Sequence, residues 1–289
     1  MTDTLLVIGA QKSGTSTMVG ILNCHPEIFV AHEWFLDSVC TKYGLDFFRH
    51  YRVDERERLK KKKPIASSFQ NFIRVLLKNG YNYKYAGDKW PRIGSYKVID
   101  KRIVEMKDIY SIFMIRDLRT WLQHKMVLNI YKCTDDITDL AIRYVYYFVK
   151  SFLLPKCLRI SMEGMIQYPN ITVKQVADFL KVEDIYMQGW WDKVGKQEDN
   201  NKKLHKWWER HTSAVIEPKH LDIEVDIKEH SFWSDILPVF DKYYNNLNSV
   251  FEDNAIIDDI NYLISLSKKW NKVSANELYN TVSKLTIRQ

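Results

Sequence analysis

The chain has 289 residues, 46% apolar and 27% charged, so it can bury a large core and falls outside the disordered, collagen-like and low-complexity classes. Forty-three Lys and Arg against 36 Asp and Glu leave a net charge of +7. That balance favours anionic partners without choosing among a phosphorylated cofactor, an acidic glycan, nucleic acid and a membrane surface.

Read in chain order, residues 5–8 (Leu-Leu-Val-Ile) are a continuous apolar run, the pattern of a strand buried on both faces. A glycine turn over 9–14 follows, then residues 15–23, where Met18, Ile21 and Leu22 recur at helical spacing. Pro26 blocks continuation, and 27–30 reads as a second short strand, so the first thirty residues form a βαβ unit. Charge dominates 54–63, where four lysines (60–63) precede Pro64; a solvated helix end or loop is the simpler reading, a polybasic patch the alternative. Residues 69–77 are expected to be helical, and 81–101 turn-rich around Gly87, Pro91 and Gly94.

Residues 109–115 are the clearest central strand and end in Arg116-Asp117. A helix over 139–154, a short strand over 158–162 and an amphipathic helix over 172–180 come next. Residues 231–251 read as mostly helical, with Pro238 at a start or kink, and 252–289 as one or two appended helices. Alternating strands and helices argue an α/β fold of three layers, with a mostly parallel sheet between helices. The expected division is an α/β domain over 1–251 and a helical extension over 252–289.

Cys24, Cys40, Cys133 and Cys157 form no CxxC pair and no zinc-type spacing, so reduced thiols in a cytoplasmic protein are the expectation. The Met-Thr-Asp start and the short 5–8 run do not resemble a signal peptide. The longest apolar stretch, 144–154, is broken by Lys150 and closed by Pro155, so no bilayer span is expected.

The chemistry concentrates in Gly9-Ala10-Gln11-Lys12-Ser13-Gly14-Thr15-Ser16-Thr17, which follows a buried strand and opens a helix. Unpaired N–H groups and the helix dipole make such a place an anion site. Gly9 and Gly14 have the spacing of the ATP-binding GxxxxGK[ST] pattern, but Thr15 stands where its lysine would be, and Lys12 lies two residues before Gly14. This is not a Walker A motif.

Lys-Ser-Gly-Thr-Ser-Thr after a first strand resembles the 5′-phosphosulfate loop of sulfotransferases, which use 3′-phosphoadenosine 5′-phosphosulfate (PAPS). Four more stretches resemble that family in order: His25-Pro26-Glu27-Ile28-Phe29-Val30-Ala31-His32-Glu33-Trp34-Phe35, Gly87-Asp88-Lys89-Trp90-Pro91, Ile112-Phe113-Met114-Ile115-Arg116-Asp117-Leu118-Arg119, and Leu158-Arg159-Ile160-Ser161-Met162-Glu163-Gly164-Met165. Tyr244, Asn245 and Leu247 echo a late family helix. The stretches resemble those of the carbohydrate and heparan-type members most.

The resemblance implies sulfuryl transfer from PAPS to a hydroxyl or amine, with no metal required, and a carbohydrate as the expected acceptor. Lys12, Ser13, Gly14, Thr15, Ser16 and Thr17 would hold the phosphosulfate, Lys12 neutralising the leaving oxygen and Lys89 adding a second charge. Arg116 would fork onto the 3′-phosphate. Glu33 is the candidate general base, with His32 as its rival. The family's usual serine eight residues beyond the arginine is His124 here, and Thr120 or Lys125 could share its role. Trp90, Leu118 and Met162 also depart from the family pattern.

Two other classes stay open on the residues alone. One is a degenerate P-loop kinase or NTPase with Asp117 as magnesium ligand. The other is a non-enzymatic basic nucleic-acid-binding protein, although no helix-turn-helix, zinc-finger, RRM or KH pattern supports it.

Overall fold

The computed structural model describes residues 2–31, 83–90, 109–123, 137–189 and 231–270. Five strands form one sheet: β1 (Asp3–Gly9), β2 (Ile28–Ala31), β3 (Tyr85–Trp90), β4 (Tyr110–Ile115) and β5 (Cys157–Ser161). The order is β2-β3-β1-β4-β5, and every neighbouring pair is parallel. Seven α-helices are described: α1 (Thr15–Leu22), α2 (Leu118–Gln123), α3 (Ile137–Lys150), α4 (Met162–Gln167), α5 (Pro169–Leu180), α6 (Ser231–Tyr244) and α7 (Asp253–Lys269).

The continuous apolar run of β1 has a direct physical cause. Side chains alternate across a strand, and both faces of this one are covered. Leu5 and Val7 pack into a cluster with α1 and α5 through Met18, Leu22, Val173 and Val176. Leu6 and Ile8 pack into a second cluster with α2, α3, α6 and α7 through Trp121, Phe148, Phe240 and Leu263. β4 divides the same way, with Ile112 and Met114 on the first side and Phe113 and Ile115 on the second. The result is a helix–sheet–helix sandwich with β1 in the middle and β4 beside it. Buried Ile256, Leu263 and Leu266 of α7 belong to the second cluster, so this helix shares the core of the preceding residues.

One expectation requires correction. The stretch 81–101 is not simply turn-rich, because β3 occupies Tyr85–Trp90 and lies hydrogen-bonded between β1 and β2. Its interior reads Gly87-Asp88-Lys89, which carries no apolar periodicity and hides a buried strand from any hydrophobicity argument. Pro238 lies inside α6 rather than at its start, and the helix covers Ser231–Tyr244, most of the 231–251 stretch. The sequence reading also omitted α2 and α4, each only six residues long. The expected helix over 69–77 lies outside the described residues, as do Cys40 and Cys133.

The edge strand β2 is covered by a side chain. Asn23, just past α1, donates through Nδ2 to the Val30 carbonyl at 2.9 Å and accepts the Val30 N–H on Oδ1 at 2.8 Å. One amide thereby pairs the backbone at the sheet margin that would otherwise be open. No helix among the described residues is long and apolar enough to cross a membrane.

β3 runs so close to β1 that a Cβ built at Gly87 would collide with the Leu5 carbonyl. Gly87→Ala is therefore expected to destabilise by about 1–3 kcal/mol through strand displacement. Ser111 Oγ is buried with no hydrogen-bond partner among the described residues, so Ser111→Ala on the neighbouring strand should be neutral or stabilising by about 1 kcal/mol. Urea denaturation midpoints read both, and a Gly87→Ala midpoint equal to wild type would refute the close-approach argument.

Candidate active site

Because all five strands are parallel, their carboxyl ends share one edge, where ligands of open α/β sheets bind. β1 delivers the glycine loop to that edge. Lys12 (φ 68°) and Gly14 (φ 87°) are both left-handed, which suits glycine and costs a lysine about 1–2 kcal/mol. Such alternating turns aim successive N–H groups into one concavity. Ser13 closes the loop through Oγ, which donates to the Ala10 carbonyl at 2.6 Å. Gly14 is the N-cap of α1, with no side-chain cap and no acidic residue in the first turn. No side chain of the first turn of α1 therefore supplies a counter-charge to its positive end.

β3 brings Lys89 to the same place. Lys89 pairs in register with Val7, and by alternation it shares the face of Tyr85, which packs in the α1-side cluster. Although Lys89 is only 2% exposed, its Nζ donates to Ser16 Oγ in the first turn of α1 at 2.9 Å. Its backbone N–H donates to Asp88 Oδ1 at 2.8 Å. Lys12 answers to this neighbour: burial first, and then the charge of Lys89, pull its ammonium below the ordinary lysine range. No side chain among the described residues accepts a hydrogen bond from Lys12 Nζ.

β4 ends at Ile115 and places Arg116 at the edge on the other side of β1. Arg116 is 3% exposed. Its Nε donates to Thr120 Oγ1 at 3.1 Å and lies 4.0 Å from Glu163 Oε1. Among the described residues nothing accepts from its two terminal nitrogens. Burial lowers its pKa, and Glu163 is the foremost of the groups that oppose this. Both its backbone groups engage Tyr144: the Arg116 N–H donates to the phenol oxygen at 2.9 Å, and the phenol donates to the Arg116 carbonyl at 2.5 Å. Burial raises the Tyr144 pKa well above normal, so this phenol stays a donor.

Asp117 caps α2. Its Oδ1 accepts the N–H groups of Arg119 and Thr120 at 2.9 and 3.1 Å, and its Oδ2 accepts from Arg119 Nη1 at 3.1 Å. Asp117 is thus engaged in holding the start of α2 and the Arg119 side chain. Arg119 also forks onto Asp241 of α6 at 2.8 and 2.6 Å, which fastens the start of α2 to α6. Among the described residues no group of three or more His, Cys, Asp or Glu could hold a metal ion.

Two contributors carried no functional expectation. Trp121 of α2 donates its indole N–H to the Gln11 carbonyl at 2.8 Å, tying the loop to the helix that follows Arg116. Glu163, in the first turn of α4, faces Arg116. A local signal for Glu163 existed in Ser161, which accepts the Gly164 N–H at 3.0 Å and starts α4 directly from β5. The structure therefore brings Lys12, the 13–17 segment, Lys89 and Arg116 to one edge. Glu33, His32, His124 and Lys125 lie outside the described residues. The donors at this edge suit a ligand with two anionic ends, one at the loop with Lys12 and one at the terminal nitrogens of Arg116.

No protein-family model matches the sequence, and no curated protein matches it. Solved structures do. The sulfotransferase domain from the Synechococcus PCC 7002 olefin synthase superposes with a TM-score of 0.55, covering 84% of this chain and 95% of that one at 13% identity. The chain has the sulfotransferase fold. The sulfotransferase domain from the curacin biosynthetic pathway superposes with a TM-score of 0.53, covering 92% and 98% at 15% identity. In the described sheet the loop continues the middle strand β1, and the strands that carry Lys89 and lead to Arg116 lie on either side of it.

The coupling of the two lysines is measurable. In Lys89→Met the second cause of the Lys12 shift disappears, so Lys12 should titrate at higher pH than in the wild type by NMR, while burial keeps it below free lysine. Since the folded value lies below the unfolded one, the unfolded chain binds more protons in that interval, and ligand-free stability should rise with pH across it. A Lys12 titration unmoved by Lys89→Met would show that the two charges do not interact.

Proposed function

We propose that this chain is a sulfotransferase that moves a sulfuryl group from PAPS to a hydroxyl or amine acceptor, with a carbohydrate as the acceptor class. The observation that carries the reading is the pairing of two cationic donor sets on one sheet edge: the uncapped α1 with Lys12 and Lys89, and buried Arg116 with its terminal nitrogens unengaged among the described residues. The sulfotransferase fold supports it.

PAPS, when bound, supplies a sulfuryl group joined to a good leaving group, the 5′-phosphate of adenosine 3′,5′-bisphosphate. The residues of the chain then have separate tasks. The N–H groups of the loop and the first turn of α1, with the hydroxyls of Ser13, Thr15, Ser16 and Thr17, hold the phosphosulfate end. Lys12 neutralises charge as it gathers on the leaving oxygen, and Lys89 adds a second charge from below, through the helix start. Arg116 forks onto the 3′-phosphate, with His124 as a further contact there. Glu33 takes the acceptor proton, and Trp34 and Phe35 beside it in sequence would raise its basicity. No magnesium is needed, since the chain's own cations meet the developing charge.

Thermal shift decides between donors. Adenosine 3′,5′-bisphosphate should stabilise the protein more than ATP with Mg²⁺, and the reverse order would overturn the reading in favour of a kinase. With labelled PAPS and a panel of carbohydrate acceptors, Lys12→Ala should lower turnover by about 10²–10³-fold. Arg116→Ala should weaken binding of the bisphosphate by about 10–100-fold, the worth of a charged hydrogen-bond pair. Glu33→Gln should spare nucleotide binding and reduce transfer by about 10²–10⁴-fold. Wild-type transfer by Glu33→Gln would reassign the base to His32.

A further inference from the structure

Glu163 makes more contacts at this edge than a helix-start glutamate requires. Its Oε1 accepts the Asp117 N–H at 3.1 Å, lies 4.0 Å from Arg116 Nε, and at 3.3 Å shares the Thr120 hydroxyl proton with the Asp117 carbonyl, which is 3.1 Å away. Its Oε2 accepts the Tyr244 hydroxyl at 2.7 Å. Burial, followed by Glu163 itself, raises the Tyr244 pKa, so that phenol remains a donor throughout the working pH range. Four elements meet on one carboxylate: α4 supplies it, the turn after β4 and the start of α2 grip one oxygen, and the end of α6 grips the other. Stacking of Tyr244 on Phe240, with ring centroids 5.0 Å apart, fixes the last of these.

We propose, building on the sulfotransferase reading, that Glu163 is the positioning residue of Arg116 and sets the discrimination between nucleotides that carry a 3′-phosphate and those that lack one. A free arginine side chain loses rotamer entropy when it is fixed. Here the loss falls on folding. Thr120 takes the Nε hydrogen bond and Glu163 sits beside it, so the guanidinium is fixed on its Nε side while its terminal nitrogens keep no acceptor among the described residues. Glu163 also has an electrostatic effect of opposite sign, since its charge repels an incoming phosphate. Geometry and charge therefore separate in two variants. Glu163→Gln removes the charge and keeps one acceptor, for the Asp117 N–H, while its amide NH2 can donate to the Tyr244 hydroxyl oxygen; Glu163→Ala removes both contacts.

The readout is the ratio of affinities for adenosine 3′,5′-bisphosphate and adenosine 5′-phosphate, measured by calorimetry on the full chain. A purely structural role would weaken both nucleotides together and leave the ratio unmoved. Glu163→Ala should lower the ratio about tenfold, while Glu163→Gln should stay within about threefold of wild type. In the Arg116→Ala background Glu163→Ala should cost nothing further, because it acts through the arginine. Should Glu163→Ala fail to fold, Tyr244→Phe removes only the donor to Oε2 and should lower the ratio about threefold; an unchanged ratio there overturns the proposal. A wild type that binds both nucleotides equally would sink the sulfotransferase reading and this proposal with it. A wild type that prefers the bisphosphate, loses the preference in Arg116→Ala and keeps it in Glu163→Ala would overturn the role of Glu163 alone.

Discussion

Lys12 and Lys89 converge on a helix N-terminus that already carries partial positive charge, and no acidic side chain in the first turn of α1 offsets them. Each arrives by a different route. The loop holds Lys12 in a left-handed conformation that lysine adopts at a cost, and β3 drives Lys89 into a nearly inaccessible position under the helix. Like charges so placed repel more strongly than they would in water, because the surrounding protein screens them less. Ser16 accepts a hydrogen bond from Lys89, and Lys12 keeps partial solvent access.

That local conflict depends on a rigid support. The sheet is buried on both faces, and each of its two interior strands beside the loop is pinned to β1 by parallel hydrogen bonds. Trp121 joins the loop to α2, Arg119 joins α2 to α6 through Asp241, and Tyr144 of α3 holds the backbone of Arg116 from beneath. Trp121 and Tyr144 stack with ring centroids 4.1 Å apart, so the two tethers reinforce one another. Charged groups are thus held by aromatic packing in the second core cluster, which makes the site's geometry a property of the core rather than of the loop alone.

Most of the sheet was legible because burial on two faces writes itself as apolar runs, as in 5–8 and 109–115. β3 was not, since Gly87, Asp88 and Lys89 occupy its interior: the glycine serves close backbone approach and the lysine serves the site, so neither advertises a strand. The loop and Arg116 could be read from letters and placement because each sits within a residue or two of a strand end. Glu163, Trp121 and Tyr244 could not be read that way. Tyr244 meets Glu163 across 81 positions of sequence and Trp121 meets Gln11 across 110. Such pairings follow from topology, which no local pattern contains. For α2 and α4, six residues leave too few turns for a period to show, and only their Asp117 and Ser161 caps marked them.

The position of β1 between β3 and β4 makes the sheet a caliper. Adjacent strands lie about 4.8 Å apart, so the strand bearing Lys89 and the strand leading to Arg116 are held roughly 10 Å apart by hydrogen bonds that barely stretch. Lengthening the glycine loop would not alter the gap between these two strands, because the spacing belongs to the backbone lattice and not to the residues that decorate it.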